Sequence, residues 1–127
     1  VKHSFSILLV GVGGFLGSVM RYLVALAFAP ADAGFPFATM TVNIAGSFLI
    51  GFISELAVST SMVSPEARLL LVTGFCGGFT TFSAYMYEDA SLVREGQLLY
   101  AGMYLAGSII GGFAALYSGT LAAKPWT

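Results

Sequence analysis

The chain has 127 residues, 57% of them hydrophobic and 9% charged, with a formal net charge of −1. Soluble domains carry about 25% charged residues, so this composition, with a mean hydropathy of +0.90, argues against a water-facing surface. The charge balance supplies no basic footprint for nucleic acid, and a single cysteine excludes an intrachain disulfide or a multi-cysteine metal site.

The hydrophobic residues fall into four blocks, 5–29, 38–60, 67–92 and 98–123. Each exceeds the ~20 residues that a helix needs to cross ~30 Å of hydrocarbon. With links this short, the expectation is an all-α membrane protein, a single four-helix transmembrane domain over residues 1–127.

The first block follows Lys2 and ends on Ala27-Phe28-Ala29, which looks like a signal-peptide cleavage site. It is too long for a signal core, Arg21 interrupts it and three equally apolar blocks follow, so it reads as a retained helix. An arginine costs ~2.5–3.5 kcal/mol at the centre of a membrane helix on insertion scales. Two readings of Arg21 stand: a side chain snorkelling to the headgroups, or a fixed positive charge at the mouth of an anion pathway. The link 30–36 holds two prolines and a glycine, a turn between helices.

In the second block Thr39, Asn43 and Ser47 share a helical face at i, i+4, i+8. The Asn43 amide either makes an interhelical hydrogen bond or lines a pore with its NH₂ donors. In the link 59–66, Ser64 is an expected N-cap, with Pro65 at the first helical position.

The third block carries the strongest signal: Thr73-Gly74-Phe75-Cys76-Gly77-Gly78-Phe79-Thr80-Thr81-Phe82-Ser83. Its three glycines and three threonines invite the backbone to leave the helix. In hydrocarbon, unpaired N–H and C=O groups survive only where protein, water or an ion completes their bonding. The spacing predicts a third helix broken near its middle, at Gly77-Gly78, with inward carbonyls suited to an alkali cation and hydroxyls from Thr80, Thr81 and Ser83 beyond. Phe79, Phe82 and Tyr85 recur every third residue. An aromatic edge carries partial positive charge and can face an anion, although Phe79 reads as packing. Cys76 reads as a small buried residue.

After the tight, charged link 94–97, the fourth block places Tyr104 and Ser108 on one face, with Gly112 next along it. Gly13 and Gly17, Ser47 and Gly51, Gly107 and Gly111, and Ser108 and Gly112 are small-xxx-small pairs, which let membrane helices approach closely. Lys124 and Trp126 suit a bilayer edge.

Lys2, Arg68 and Lys124 fall on one side of the membrane and Arg94 on the other. The positive-inside rule thus favours cytoplasmic termini only weakly, and so shallow a bias permits insertion both ways and an antiparallel dimer. Glu55, Glu66, Glu88, Asp89 and Glu95 are expected near helix ends or in links, which leaves no buried acid for proton coupling. His3, in the N-terminal flank, is expected to be solvated. No Ser/His/Asp set, phosphate loop or metal-spaced histidine pair occurs, so the expectation is not an enzyme but a passive anion path.

Over nearly its whole length the chain resembles the Fluc/CrcB family of fluoride channels. The matching elements are Gly13-Gly14-x-x-Gly17-x-x-x-Arg21-Tyr22, Asn43 with Gly46 and Gly51, and the stretch from Thr73 to Ser83. The resemblance implies a fluoride-selective passive channel in the plasma (inner) membrane, exporting cytoplasmic fluoride. It implies a dual-topology, antiparallel homodimer with two fluoride pores along the subunit interfaces and a central structural Na⁺ on the backbone carbonyls of Gly77 and Thr80. Asn43, Phe82, Ser83, Tyr85, Tyr104 and Ser108 would line the pore, and Arg21 would stand near the vestibule. The chain departs from the family pattern at Tyr85, usually phenylalanine, and at Gly112, usually a hydroxyl residue. The alternatives are a small dual-topology multidrug exporter, argued against by the lack of an acid in the first helix, and a non-transporting scaffold, which leaves the glycine-threonine stretch unexplained.

Overall fold

A computed structural model describes residues 2–31 and 34–127, with the side chain of Lys2 excepted. Asp32 and Ala33 of the predicted first link, and the Lys2 side chain counted in the orientation argument, lie outside the described residues.

The described residues are helical almost throughout. Helix α1 spans Lys2–Phe28, α2 Phe37–Ser59 and α6 Leu98–Ala122. Between α2 and α6 the chain forms α3 (Pro65–Arg68), a π-helical segment (Leu69–Cys76), α4 (Gly77–Phe79) and α5 (Ser83–Arg94). Four segments, His3–Ala31, Phe37–Ser59, Pro65–Arg94 and Leu98–Trp126, are long and apolar enough to cross a membrane, close to the four blocks expected from sequence.

Local chemistry sets the ends. Ser64 caps α3 by accepting the Ala67 N–H at 3.0 Å, and Pro65 occupies the first turn, where its missing N–H costs nothing. Between α5 and α6, Gly96 takes a φ of +76°, a conformation that glycine enters without steric cost. At the C-terminus Lys124 pairs with Glu55 at 2.9 Å, and Trp126 sets its ring edge against Phe52.

The helices touch through glycine rather than through large interlocking side chains. A Cβ on Gly13 or Gly17 would strike backbone of the third segment, at Leu70 and Phe75 respectively, and one on Gly78 would strike the Gly14 carbonyl. Gly51 and Gly119 do the same between α2 and α6, against the carbonyls of Leu116 and Phe48. Lipid gives helices no hydrophobic drive to associate, so van der Waals contact between close backbones replaces it. The outside is correspondingly apolar: Ile7, Phe15, Leu99, Ile110 and Phe113 are all exposed. The interior is small, with Tyr104, Val42 and Cys76 its largest fully buried side chains.

One expectation is corrected in detail. Gly77 and Gly78 are helical, Gly77 with φ −62° and ψ −37°. The backbone becomes extended three residues after Gly77, at Thr80 (φ −89°, ψ 160°), and helix resumes at Ser83. Glycine permits irregular backbone but does not require it. Here Gly78 serves close packing on α1 instead.

Candidate functional site

The non-helical residues Thr80 and Thr81 are held by side chains from two other helices. Asn43, half-buried on α2, grips Thr81 from both sides: Oδ1 accepts the Thr81 N–H at 2.8 Å and Nδ2 donates to the Thr81 carbonyl at 3.0 Å. Its amide therefore does for Thr81 what a neighbouring peptide does inside a helix. Arg21 on α1 donates Nε to the Gly78 carbonyl at 3.0 Å. The guanidinium is thus turned into the fold, onto an inner carbonyl, in place of the snorkelling geometry that sequence left open.

Thr80 anchors the other end. Its N–H and its Oγ1 both donate to the Cys76 carbonyl, at 3.0 and 2.8 Å. Its methyl lies where a Cβ on Gly46 would stand, so the bare face of Gly46 admits it. The Ala84 N–H donates to Thr81 Oγ1 at 3.2 Å, so the hydroxyl caps the restarting helix much as an N-cap residue does.

These bonds divert two amides. In a continuous helix the Thr81 N–H would meet the Gly77 carbonyl and the Ala84 N–H the Thr80 carbonyl. Each is turned elsewhere, so neither carbonyl receives its helical donor. Gly77 is also exposed on the face of the chain. Two backbone oxygens without amide donors suit the donor set that a hard alkali cation takes.

A cavity of about 220 Å³ adjoins this segment, lined by Asn43, Ser47, Ile50, Thr80, Thr81, Phe82 and Tyr85. It gathers Asn43, Phe82 and Tyr85, three of the six residues that the resemblance assigns to a pore lining, together with Ser47, Thr80 and Thr81. The Phe82 ring is 73% exposed and meets Tyr85 edge-on, with centroids 6.2 Å apart. Ser83 is exposed, its Oγ 3.5 Å from Thr81 Oγ1.

Tyr85 and Tyr104 form the wall beyond that cavity. Their rings cross at 90° with centroids 5.0 Å apart, and both are buried. The Tyr85 hydroxyl donates to the Leu105 carbonyl at 2.5 Å. Ser108, one turn past Tyr104 on α6, is buried, and its Oγ has no hydrogen-bond partner among the described residues. A buried hydroxyl left without a partner costs free energy.

Next to Tyr104 stands Glu88, six residues from the end of the third span at Arg94, in keeping with the expectation that it lies toward a helix end. It sits midway along α5, half-buried, taking the Tyr104 hydroxyl on Oε1 at 2.8 Å and the Thr39 hydroxyl on Oε2 at 3.0 Å. The carboxylate also lines a second cavity of about 270 Å³ with Phe35, Pro36, Ser91, Leu92 and Glu95. The clue to Glu88 was its spacing: three residues after Tyr85 on a helix, it shares that face. Asp89, also within α5, is half-buried with Oδ1 unpartnered among the described residues.

Gly112 has Ser47 Oγ 3.6 Å from where its Cβ would stand. That hydroxyl donates to the Asn43 carbonyl at 2.7 Å, so its proton is committed.

Comparison with known proteins is consistent across the chain. A family model described as "CrcB-like protein, Camphor Resistance (CrcB)" matches residues 8–120. A protein of Chlorobium luteolum named "Fluoride-specific ion channel FluC" is 73% identical over 127 residues, covering 100% of this chain and 98% of that one. Proteins of the same name from Chlorobium phaeobacteroides and Rhizobium meliloti are 64% identical over 127 residues and 45% over 114. The second of these alignments covers 89% of this chain and 91% of the relative.

Proposed function

The chain belongs to the CrcB-like family, and from that premise we propose that it is a fluoride-selective passive channel, not an enzyme, which lets cytoplasmic fluoride leave across the plasma (inner) membrane. The observation that carries this reading is a chain of contacts, Tyr85 to Tyr104 to Glu88, that links two cavities. Asn43, Phe82 and Tyr85 line one, Glu88 lines the other, and Tyr104 bonds to Glu88 between them. A polar route inside an otherwise apolar chain needs a reason to exist, because each polar group there costs free energy unless paired.

Fluoride is small and strongly hydrated, so a selective path supplies donors at close quarters and excludes larger halides by tightness. The Asn43 amide keeps one Nδ2 hydrogen beyond its bond to Thr81. Ser108 offers an unengaged hydroxyl. The Phe82 and Tyr85 ring edges add weak positive potential, Ser83 adds an exposed hydroxyl, and Tyr104 would join the path by releasing its bond to Glu88. None is a fixed charge that would trap the anion, and conduction requires that it leave as easily as it enters. A negative-inside potential drives fluoride outward with about 2.3 kcal/mol per 100 mV, without energy coupling.

The working unit in this reading is an antiparallel, dual-topology homodimer with two pores. Gly77 and Phe82 are exposed on the single chain, which suits a face covered by a second copy. Na⁺ would be held by the Gly77 and Thr80 carbonyls of both chains, supplying a hard cation that ties the pair together. Arg21, close by on Gly78, would add positive potential near the vestibule.

Anion efflux from liposomes loaded with fluoride or chloride tests the proposal. Fluoride is expected to leave and chloride to stay, and Phe82→Ile and Asn43→Ala are expected to slow fluoride. Equal fluxes of the two halides would reject selectivity. Wild-type flux in both variants would reject the lining. Proton-dependent export of an organic cation would instead favour the multidrug-exporter alternative.

A further inference from the structure

Around the extended residues, the carbonyls of Gly77, Gly78, Thr80 and Thr81 have different fates. The Gly78 carbonyl takes Arg21 Nε and the Thr81 carbonyl takes Asn43 Nδ2. The Gly77 and Thr80 carbonyls lose their helical donors, because the Thr81 N–H goes to Asn43 Oδ1 and the Ala84 N–H to Thr81 Oγ1. Among these four carbonyls, two are capped by side chains from other helices and two lack their helical donors.

We infer that Arg21 and Asn43 are positioning residues that select which backbone oxygens a cation can use, by capping the Gly78 and Thr81 carbonyls and, through Asn43 Oδ1, keeping the Thr81 amide away from the Gly77 oxygen. The inference rests on the cation reading above and extends it to these side chains. Asn43 acts twice. Its Nδ2 occupies one carbonyl, and its Oδ1 detains the one amide that would close the helix over the Gly77 oxygen. Arg21 acts by charge-assisted bonding, which is stronger than a neutral hydrogen bond, and it fixes the Gly78 peptide. Both donors come from other helices, 57 and 38 residues distant in sequence, so helix packing sets the selection.

The test is thermal unfolding of the detergent-purified protein, titrated with NaCl against N-methylglucamine chloride at constant ionic strength. Wild type is expected to gain stability with Na⁺. Asn43→Leu frees the Thr81 amide to reach Gly77. Arg21→Lys keeps the charge but loses the planar Nε donor. Each is expected to raise the Na⁺ concentration giving half the effect by at least about fivefold, the worth of one net hydrogen bond. A merely structural role would lower stability at every Na⁺ concentration and leave that midpoint in place, which would overturn the assignment. Wild type indifferent to Na⁺ would remove the cation reading itself. If the variants do not fold, amide hydrogen exchange on wild type decides: the Thr81 N–H is expected to be protected with and without Na⁺, and fast exchange there would overturn the clamp.

Discussion

Tyr104 of α6 donates its hydroxyl to Glu88 of α5 at 2.8 Å, and Thr39 of α2 donates to the other oxygen of the same carboxylate at 3.0 Å. One acid thereby joins three helices. Tyr104→Phe keeps the ring against Tyr85 and removes only the donor. It is expected to cost about 1–3 kcal/mol, the range for leaving a buried acceptor short of a partner, and to slow fluoride efflux. Thr39→Val combined with Tyr104→Phe should show a coupling of about 0.5–3 kcal/mol in a double-mutant cycle, since the two share one partner. Chemical or thermal unfolding in detergent measures it.

Glycines that look alike in sequence are expected to respond differently to alanine. A Cβ on Gly17 would meet the Phe75 carbonyl and the Phe79 amide, both backbone, whereas Gly11 and Gly102 face open space. Gly17→Ala is expected to destabilise by about 1–3 kcal/mol through overpacking. Gly11→Ala and Gly102→Ala are expected to be neutral or to stabilise by up to about 1 kcal/mol, the helix-propensity gain. Thermal unfolding of the three variants side by side checks the contrast.

Gly46 gives a third outcome, because the obstacle there is the Thr80 side-chain methyl. Gly46→Ala is expected to displace Thr80 and to reduce fluoride efflux. Adding Thr80→Ser, which removes the methyl and keeps the hydroxyl bonded to the Cys76 carbonyl, is expected to recover most of the loss. Efflux that stays low in the double variant would show that the methyl is not the cause.

Gly112→Ser is expected to fold normally, because the nearest atom to the new Cβ is Ser47 Oγ, 3.6 Å away, an ordinary contact. The added hydroxyl restores a donor on the Ser108 face of α6. Liposome efflux is expected to run at least as fast as in the parent chain.

The four spans were legible because length and hydropathy suffice to mark a membrane helix. Ser64 and Pro65 were legible because capping is local chemistry. The departure from helix was misplaced by about one turn. Glycine marks where backbone is free to bend, but the bend occurs where Asn43 and Thr81 supply replacement bonds, and that pairing spans 38 residues. Arg21 could not be assigned for the same reason: its acceptor is a backbone carbonyl, which has no letter in the sequence. Glu88 was discounted because it falls toward the end of an apolar block, as it does, yet it bonds to Tyr104 and Thr39. Position along a helix and depth in a site are different coordinates.

The bond from Arg21 to Gly78 also bears on synthesis. The two residues are 57 positions apart, so α1 leaves the ribosome well before its acceptor has been made. Until then the guanidinium lacks its native acceptor in a segment where it costs ~2.5–3.5 kcal/mol at the bilayer centre. The native acceptor for this charge is thus supplied only once the third crossing has been made.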